Sequence, residues 1–266
     1  MAAMKQADLA GYLNFPNQDI ALRCTDVNVD YATERAIFDC NCVFPKNKIT
    51  ALIGPSGSGK STLLRCLNRM NDGRAQVSGT IDYEGTNLND QQINVYQLRQ
   101  KIGMLFQQPN PFARSIYFNL AFGIREHQAI SKSELEQRMR EVLEMVDLWS
   151  EISGDLQRHA NHLSGGQQQR LCLARTLMLQ PDILLLDEPA SALDPIATAK
   201  IEANLLALKK DITIIIVTHN LEQAARISDY TAFFYQGYLV EYDRTKHLFL
   251  KPHQKLTADY LAGNFG

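Results

Sequence analysis

Gly54-Pro55-Ser56-Gly57-Ser58-Gly59-Lys60-Ser61 is the stretch on which the fold turns. It has the form G-x-x-x-x-G-K-S, and its flanks fit: Ile49 to Ile53 is a short apolar run that reads as a strand, while Ser61 to Arg69 carries Leu63, Leu64 and Leu67 at helical spacing. Strand, glycine loop and helix in that order make a phosphate-binding unit of an α/β protein. The glycines let backbone amides converge on phosphate oxygens, and a helix beginning near Lys60 adds unsatisfied amides and the positive end of its dipole. Lys60 is placed to reach β- and γ-phosphates, and Ser61 to put its hydroxyl on the magnesium that neutralises the same oxygens. Thr62, next in the helix, completes the contact set expected for ATP and magnesium at this loop.

Working outward, Leu184-Leu185-Leu186-Asp187-Glu188-Pro189 is an apolar strand that delivers two carboxylates at its C-terminal end, where open parallel sheets place their ligand sites. Asp187 is suited to hold magnesium through a water, and Glu188 to orient or deprotonate an attacking water. Leu163-Ser164-Gly165-Gly166-Gln167 precedes a run with Leu171, Leu173, Ala174, Leu177 and Met178 at helix intervals. Ser164 then reads as an N-cap and Gln167 as its capping-box partner. Capping accounts for Ser and Gln but not for the two glycines between them, which leave bare amides at a helix start and so imply a second anion site. Asp194 and Pro195 read as N-cap and first residue of a further helix carrying Ile201, Leu205 and Leu208.

The rest of the chain is consistent with an α/β domain. Ile20, Leu22 and Cys24 alternate, as do Val27 and Val29, giving a β-rich start after an irregular segment 1–18. Ile183 to Leu186 and Ile212 to Val217 have the continuous apolar character of strands covered on both faces. Leu135, Met139, Val142, Leu143 and Val146 form the apolar stripe of an amphipathic helix, read as packing a helical subdomain in preference to a membrane surface. Thr231 to Tyr235, Gln236-Gly237 and Tyr238 to Tyr242 read as a hairpin.

The 266 residues carry a formal net charge of −2, so there is no basic footprint for nucleic acid. The five cysteines show no zinc spacing and read as reduced thiols, with Cys40 and Cys42 as core fillers and a redox role as the other reading. No secretory signal and no apolar run of membrane-spanning length is present, so work at a membrane would require docking through a partner.

Taken together, these motifs resemble those of the ATP-binding cassette ATPases, from about Ile20 onward. Leu163 to Gln167 match that family's signature, Asp187 and Glu188 its Walker B pair, and Ser191-Ala192-Leu193-Asp194 its D-loop. The resemblance implies a P-loop core of cassette type with an antiparallel β subdomain and an inserted α-helical subdomain at about 108–180, all within a nucleotide-binding domain 19–266. It implies that the signature of one copy caps the ATP held by the phosphate loop of another, which answers the puzzle of two anion sites. It further assigns Gln107, after Gly103-Met104-Leu105-Phe106, to sensing magnesium and the transport partner, although a polar residue merely ending a strand is the plainer reading. His219, after the strand ending at Thr218, is assigned to the γ-phosphate, against an ordinary hydrogen-bonded histidine. Tyr31 is assigned to adenine, against a core tyrosine.

Several strings are more specific: Leu67 to Asp72, Gln108 to Phe112 with Ser115 to Tyr117, Ser164 to Cys172, Ala225 to Asp229 with Thr231 to Tyr235, and Gly263 to Gly266. They resemble the ATPase subunits of bacterial phosphate importers. That implies a homodimer at the cytoplasmic face of the inner membrane, paired with two permease subunits and an extracytoplasmic phosphate-binding protein. Gln108, Ala113, Arg114 and Phe118 depart from the pattern, at positions where the permease would dock. The alternatives are an importer ATPase for another small polar solute and a DNA-maintenance cassette ATPase; the latter's long coiled coil between phosphate loop and signature has no counterpart here.

Overall fold

The computed structural model describes residues 11–127, 129–191 and 193–264. In chain order the elements are β1 (Tyr12–Leu13), β2 (Ile20–Asp30), β3 (Arg35–Pro45), β4 (Ile49–Ile53), α1 (Lys60–Cys66), β5 (Gln76–Tyr83), β6 (Thr86–Asn87), α2 (Val95–Lys101), β7 (Ile102–Leu105), α3 (Ile116–His127), α4 (Lys132–Met145), α5 (Gly165–Leu177), β8 (Ile183–Asp187), α6 (Pro195–Leu208), β9 (Thr213–Val217), α7 (Leu221–Ile227), β10 (Tyr230–Tyr235), β11 (Tyr238–Arg244), α8 (Thr245–Leu250) and α9 (Lys255–Leu261).

Two sheets organise them. One has the order β1-β11-β10-β4-β9-β8-β7, the other β3-β2-β5-β6. In the first, β10, β4, β9, β8 and β7 run parallel to one another, with β11 antiparallel to β10. The second is antiparallel throughout. The period of two along each central strand divides the core: Ile214 and Ile216 join the cluster containing α3, α4 and α5, while Ile215 and Val217 join the one containing α1 and the antiparallel sheet. Both faces are thereby covered, which is why β4, β8 and β9 are buried at every residue.

The helical segment lies between β7 and β8. Its α4 starts at a complete capping box, Ser131 with Glu134, and buries Leu135, Met139, Val142 and Leu143. The β10–β11 hairpin turns through Gln236 and Gly237, both at positive φ (48° and 85°), so a Gln fills a position usually taken by Asn.

Three expectations need correction. The helix after the phosphate loop ends at Cys66 and does not reach Arg69, because Arg69 adopts a left-handed backbone (φ 59°) that a helix cannot continue through. Within the segment expected to be irregular, Tyr12–Leu13 pair parallel with Glu241 and Tyr242 of β11, and Tyr12 stacks on His253. Residues 1–10 of that segment lie outside the described residues, as does Ala192 of the D-loop string. The strand expected from Ile212 begins one residue later, at Thr213.

All five cysteines are free and buried. Cys24 and Cys42 face each other across β2 and β3, and Cys40 Sγ lies 3.9 Å from Cys42 Sγ. Hydrogen bonding with the Cys24 and Cys40 thiols, then burial, pushes Cys42 well above the usual thiol range, and burial pushes Cys66 up to about 12.

Candidate active site

Parallel pairing brings the chemistry to one edge. Leu52 lies beside Val217, Val217 beside Asp187, and Leu186 beside Leu105. The residues that follow each strand, Gly54, Thr218, Glu188 and Phe106, therefore emerge side by side at the C-terminal edge of the sheet.

The phosphate loop leaves β4 at Gly54 (φ 141°), where an added Cβ would stand 2.1 Å from the Phe234 carbonyl oxygen. At Gly59 (φ 97°), the residue before α1, a Cβ would meet Ile37 Cδ1 at 2.5 Å and the Ala36 oxygen at 2.8 Å. Both glycines are required by packing as well as by backbone conformation. Gly57 has open space around it but a φ of 76°. Inside the turn, Lys60 Nζ donates to the carbonyl oxygens of Gly54 (2.8 Å) and Pro55 (2.7 Å) and to Ser58 Oγ (3.2 Å). Burial lowers the Lys60 pKa from its ordinary value, against the opposing pull of Glu188 and Asp187.

Ser61 and Asp187, 126 residues apart in sequence, meet: Ser61 Oγ donates to Asp187 Oδ1 at 2.7 Å. Asp187 is 4% exposed, and its other oxygen takes a hydrogen bond from Arg65 Nη2 at 3.0 Å. Arg65 is a site residue that the motifs leave out. Its signal was the i,i+4 spacing from Ser61, which puts both on one face of α1.

Glu188 stands at a left-handed φ of 49°, its amide bonded to the Val217 oxygen. A bulky residue in this conformation is uncommon and strained, and such strain collects at functional sites. Its Oε2 accepts from Gln107 Nε2 at 2.9 Å and lies 3.2 Å from His219 Nδ1. Gln107, Glu188 and His219, expected from three separate motifs, thus form one cluster. Gln107 Nε2 also reaches Ser191 Oγ at 3.4 Å, and Gln169 of α5 holds the Phe106 carbonyl just before it. From Glu188 and His219 a cleft of about 530 Å³ runs between α6 and α7 to the Glu202–Arg226 pair.

The second glycine pair lies at the N-terminus of α5. Ser164 Oγ accepts from Gln167 N, and Gln167 Oε1 accepts from Ser164 N, completing the capping box. The two glycines differ. A Cβ on Gly166 would stand 3.0 Å from Ala197 Cβ of α6, whereas one on Gly165 would meet nothing within 4 Å. Close helix packing therefore accounts for Gly166. Gly165 has no such account within the chain, and its bare, exposed amide fits the approach of an anion. Asp194 caps α6, accepting from Ile196 N and Ala197 N, each at 2.9 Å.

Tyr31 lies at the β2–β3 turn and lines a cleft of about 640 Å³ with Asp30, Arg74 and Gln76; the phosphate-loop residues lie outside that lining.

A phosphate loop, a strand ending in paired carboxylates and a capped Ser-Gly-Gly-Gln helix in one chain define a P-loop ATPase of the cassette type. Residues 37–191 match the family model described as ABC transporter, and the chain belongs to that family. It is 55% identical over 254 residues to the phosphate import ATP-binding protein PstB 1 of Ligilactobacillus salivarius, covering 96% of each chain. It is 52% identical over 256 residues to PstB 2 of Enterococcus faecalis, covering 96% of this chain and 95% of the relative. Among solved structures it resembles cbiO1 from Clostridium perfringens, part of the complex cbiONQ (TM-score 0.78, 26% identity, 91% of this chain and 96% of the other). It also resembles the ATP-binding cassette MJ0796, solved as a dimer in a post-hydrolysis state with ADP and Pi (TM-score 0.72, 27% identity, 84% and 98%).

Proposed function

We propose that this chain is the ATP-hydrolysing subunit that powers import of inorganic phosphate across the bacterial cytoplasmic membrane. The observation that carries the cargo is the 55% and 52% identity, over nearly the full length of both partners, to proteins named for phosphate import. The observation that carries the chemistry is the cluster in which Gln107 and His219 converge on Glu188.

In this reading each residue has a role in ATP hydrolysis. The amides of Gly54 to Ser61 and the ammonium of Lys60 bind the triphosphate, Thr62 completes the contacts at the loop, and Tyr31 is assigned to the adenine by family resemblance. Ser61, Gln107 and Asp187 form a hard-oxygen set of the kind that suits magnesium, which when bound neutralises the β- and γ-phosphate oxygens. Arg65 holds Asp187 in place through its 3.0 Å contact. Glu188 orients the attacking water and accepts its proton, Gln107 fixes the carboxylate, and His219 faces the γ-phosphate. Ser164, Gly165, Gly166, Gln167 and Asp194 supply the other half of the site in a second copy, so hydrolysis occurs in a homodimer.

Among the described residues no helix is long and apolar enough to cross a membrane. We place the dimer on the cytoplasmic face, under two permease subunits that receive phosphate from an extracytoplasmic binding protein. The exposed rings of Phe112, Phe118 and Phe122, flanked by Arg114 and Arg175, give the helical subdomain an aromatic surface for that contact. The nucleotide-binding domain spans residues 19–266, with the helical subdomain at about 108–180.

Phosphate uptake in cells lacking this chain tests the reading. Wild type should restore uptake and Glu188→Gln should not. Restored amino-acid uptake with no effect on phosphate would refute the cargo.

A further inference from the structure

Between α4 and α5 sits Glu151, which no motif singles out. Its Oε2 accepts from Arg170 Nη2 at 2.7 Å and from Gln167 Nε2 at 3.1 Å, while its Oε1 accepts from Arg170 Nη1 at 2.9 Å and from Lys200 Nζ. The three donors come from two different places. Gln167 and Arg170 belong to α5, and Lys200 lies on α6, six residues beyond its N-cap Asp194. Four hydrogen bonds from three side chains hold this carboxylate, and the Arg170 bonds come first in drawing its pKa down to about 2.

We propose that Glu151 is a positioning residue that locks the Ser164–Gln167 turn and the Asp194 end of α6 into one body, so that both are presented together to the nucleotide of a second copy. This rests on the composite-dimer reading above. The geometry argues for positioning beyond simple stability. Arg170, with its side chain 4% exposed, already satisfies Glu151 and is anchored again on the Asp147 oxygen at 2.6 Å. The Lys200 side chain is 40% exposed, and an ion pair so open to water adds little to folding. What Lys200 adds is a link between helices. The same two helices touch where Gly166 abuts Ala197, so the tie is made twice, once by packing and once by charge. Gln167 is fixed as well: its oxygen serves the capping box and its amide nitrogen serves Glu151, leaving one orientation of the side chain.

The test uses Lys200→Met in the full chain carrying Glu188→Gln, with ATP-dependent dimerisation followed by analytical ultracentrifugation. Expected are unchanged ATP affinity of the monomer, an unchanged melting temperature and dimerisation weakened by about fivefold or more, the scale of a typical coupling between sites. In the Glu188 chain, Lys200→Met should lower kcat while leaving nucleotide affinity alone, and Lys200→Arg should restore it. Glu151→Gln should act in the same direction; should it fail to fold because Arg170 loses its buried partner, the Lys200 variants still decide. Dimerisation of Lys200→Met equal to that of its Glu188→Gln parent overturns the inference alone. A parent that never dimerises with ATP overturns the composite-dimer reading and the inference with it.

Discussion

Replacing Glu188 by Gln separates the chemistry of the site from its architecture. The side chain keeps its length, is 23% exposed, and the amide oxygen can still accept from Gln107 Nε2, now 2.9 Å from the carboxylate. What changes locally is that the carboxylate's contacts with Gln107 and His219 become contacts with a neutral amide, a loss of about 1 kcal/mol for each hydrogen bond so weakened. The left-handed backbone at φ 49° is as costly for Gln as for Glu and so cancels in the comparison. Catalysis suffers more, because an amide cannot take a proton from water; loss of a general base costs about 10²–10⁴-fold in rate, or roughly 3–5 kcal/mol of barrier. Steady-state phosphate release, together with ATP affinity by titration calorimetry, reads both terms. Affinity should hold while kcat collapses, and the dimer should accumulate with ATP. A variant turning over at the wild-type rate would show that the proton goes elsewhere and that the Gln107–Glu188–His219 cluster is structural.

Lys60→Ala should weaken ATP binding by about tenfold or more, through loss of a buried charged contact to phosphate; calorimetric affinity equal to wild type would count against it. Gly165→Ala and Gly166→Ala should part company. The first meets open space and gains helix propensity, whereas the second presses on Ala197, so chemical denaturation should rank Gly166→Ala the less stable by about 1 kcal/mol, with the catalytic penalty falling on Gly165→Ala. Glu151, held at about 2 against the usual 4.5, contributes stability that is complete above pH 4.5 and lost as the pH falls towards 2. Unfolding midpoints over that window should slope less in Glu151→Gln, and parallel slopes would refute the tie.

The parts of the site legible in the sequence are those whose function forces a local pattern. A phosphate loop needs glycines between a strand and a helix, so Gly54 to Ser61 declares itself, and the capping box at Ser164 needs a partner three residues on. The alternation within β4, β8 and β9 is masked by burial on both faces, but their unbroken apolar character is itself informative. What stayed hidden depends on distant partners. The spacing of Arg65 from Ser61 puts it on the site face of α1 but does not name Asp187 as its partner, nothing near Glu151 announces Lys200, and Tyr12–Leu13 become a strand only because β11 offers an edge. The early end of α1 rests on the backbone of Arg69, a residue whose helix propensity gives no hint of it.

The buried sulfhydryls carry a consequence of a different kind. Every cysteine is shielded from solvent, and those whose pKa is raised, Cys42, Cys66 and Cys172, stay protonated at neutral pH, so an alkylating reagent can reach them only when the surrounding structure opens. Cys24, Cys40, Cys42 and Cys66 belong to the layer of antiparallel strands and α1, and Cys172 belongs to the helical layer. The chain therefore carries two built-in clocks, one timing the opening of the layer beneath the phosphate loop and the other that of the helices, and nucleotide should slow the first by gripping the start of the helix that bears Cys66.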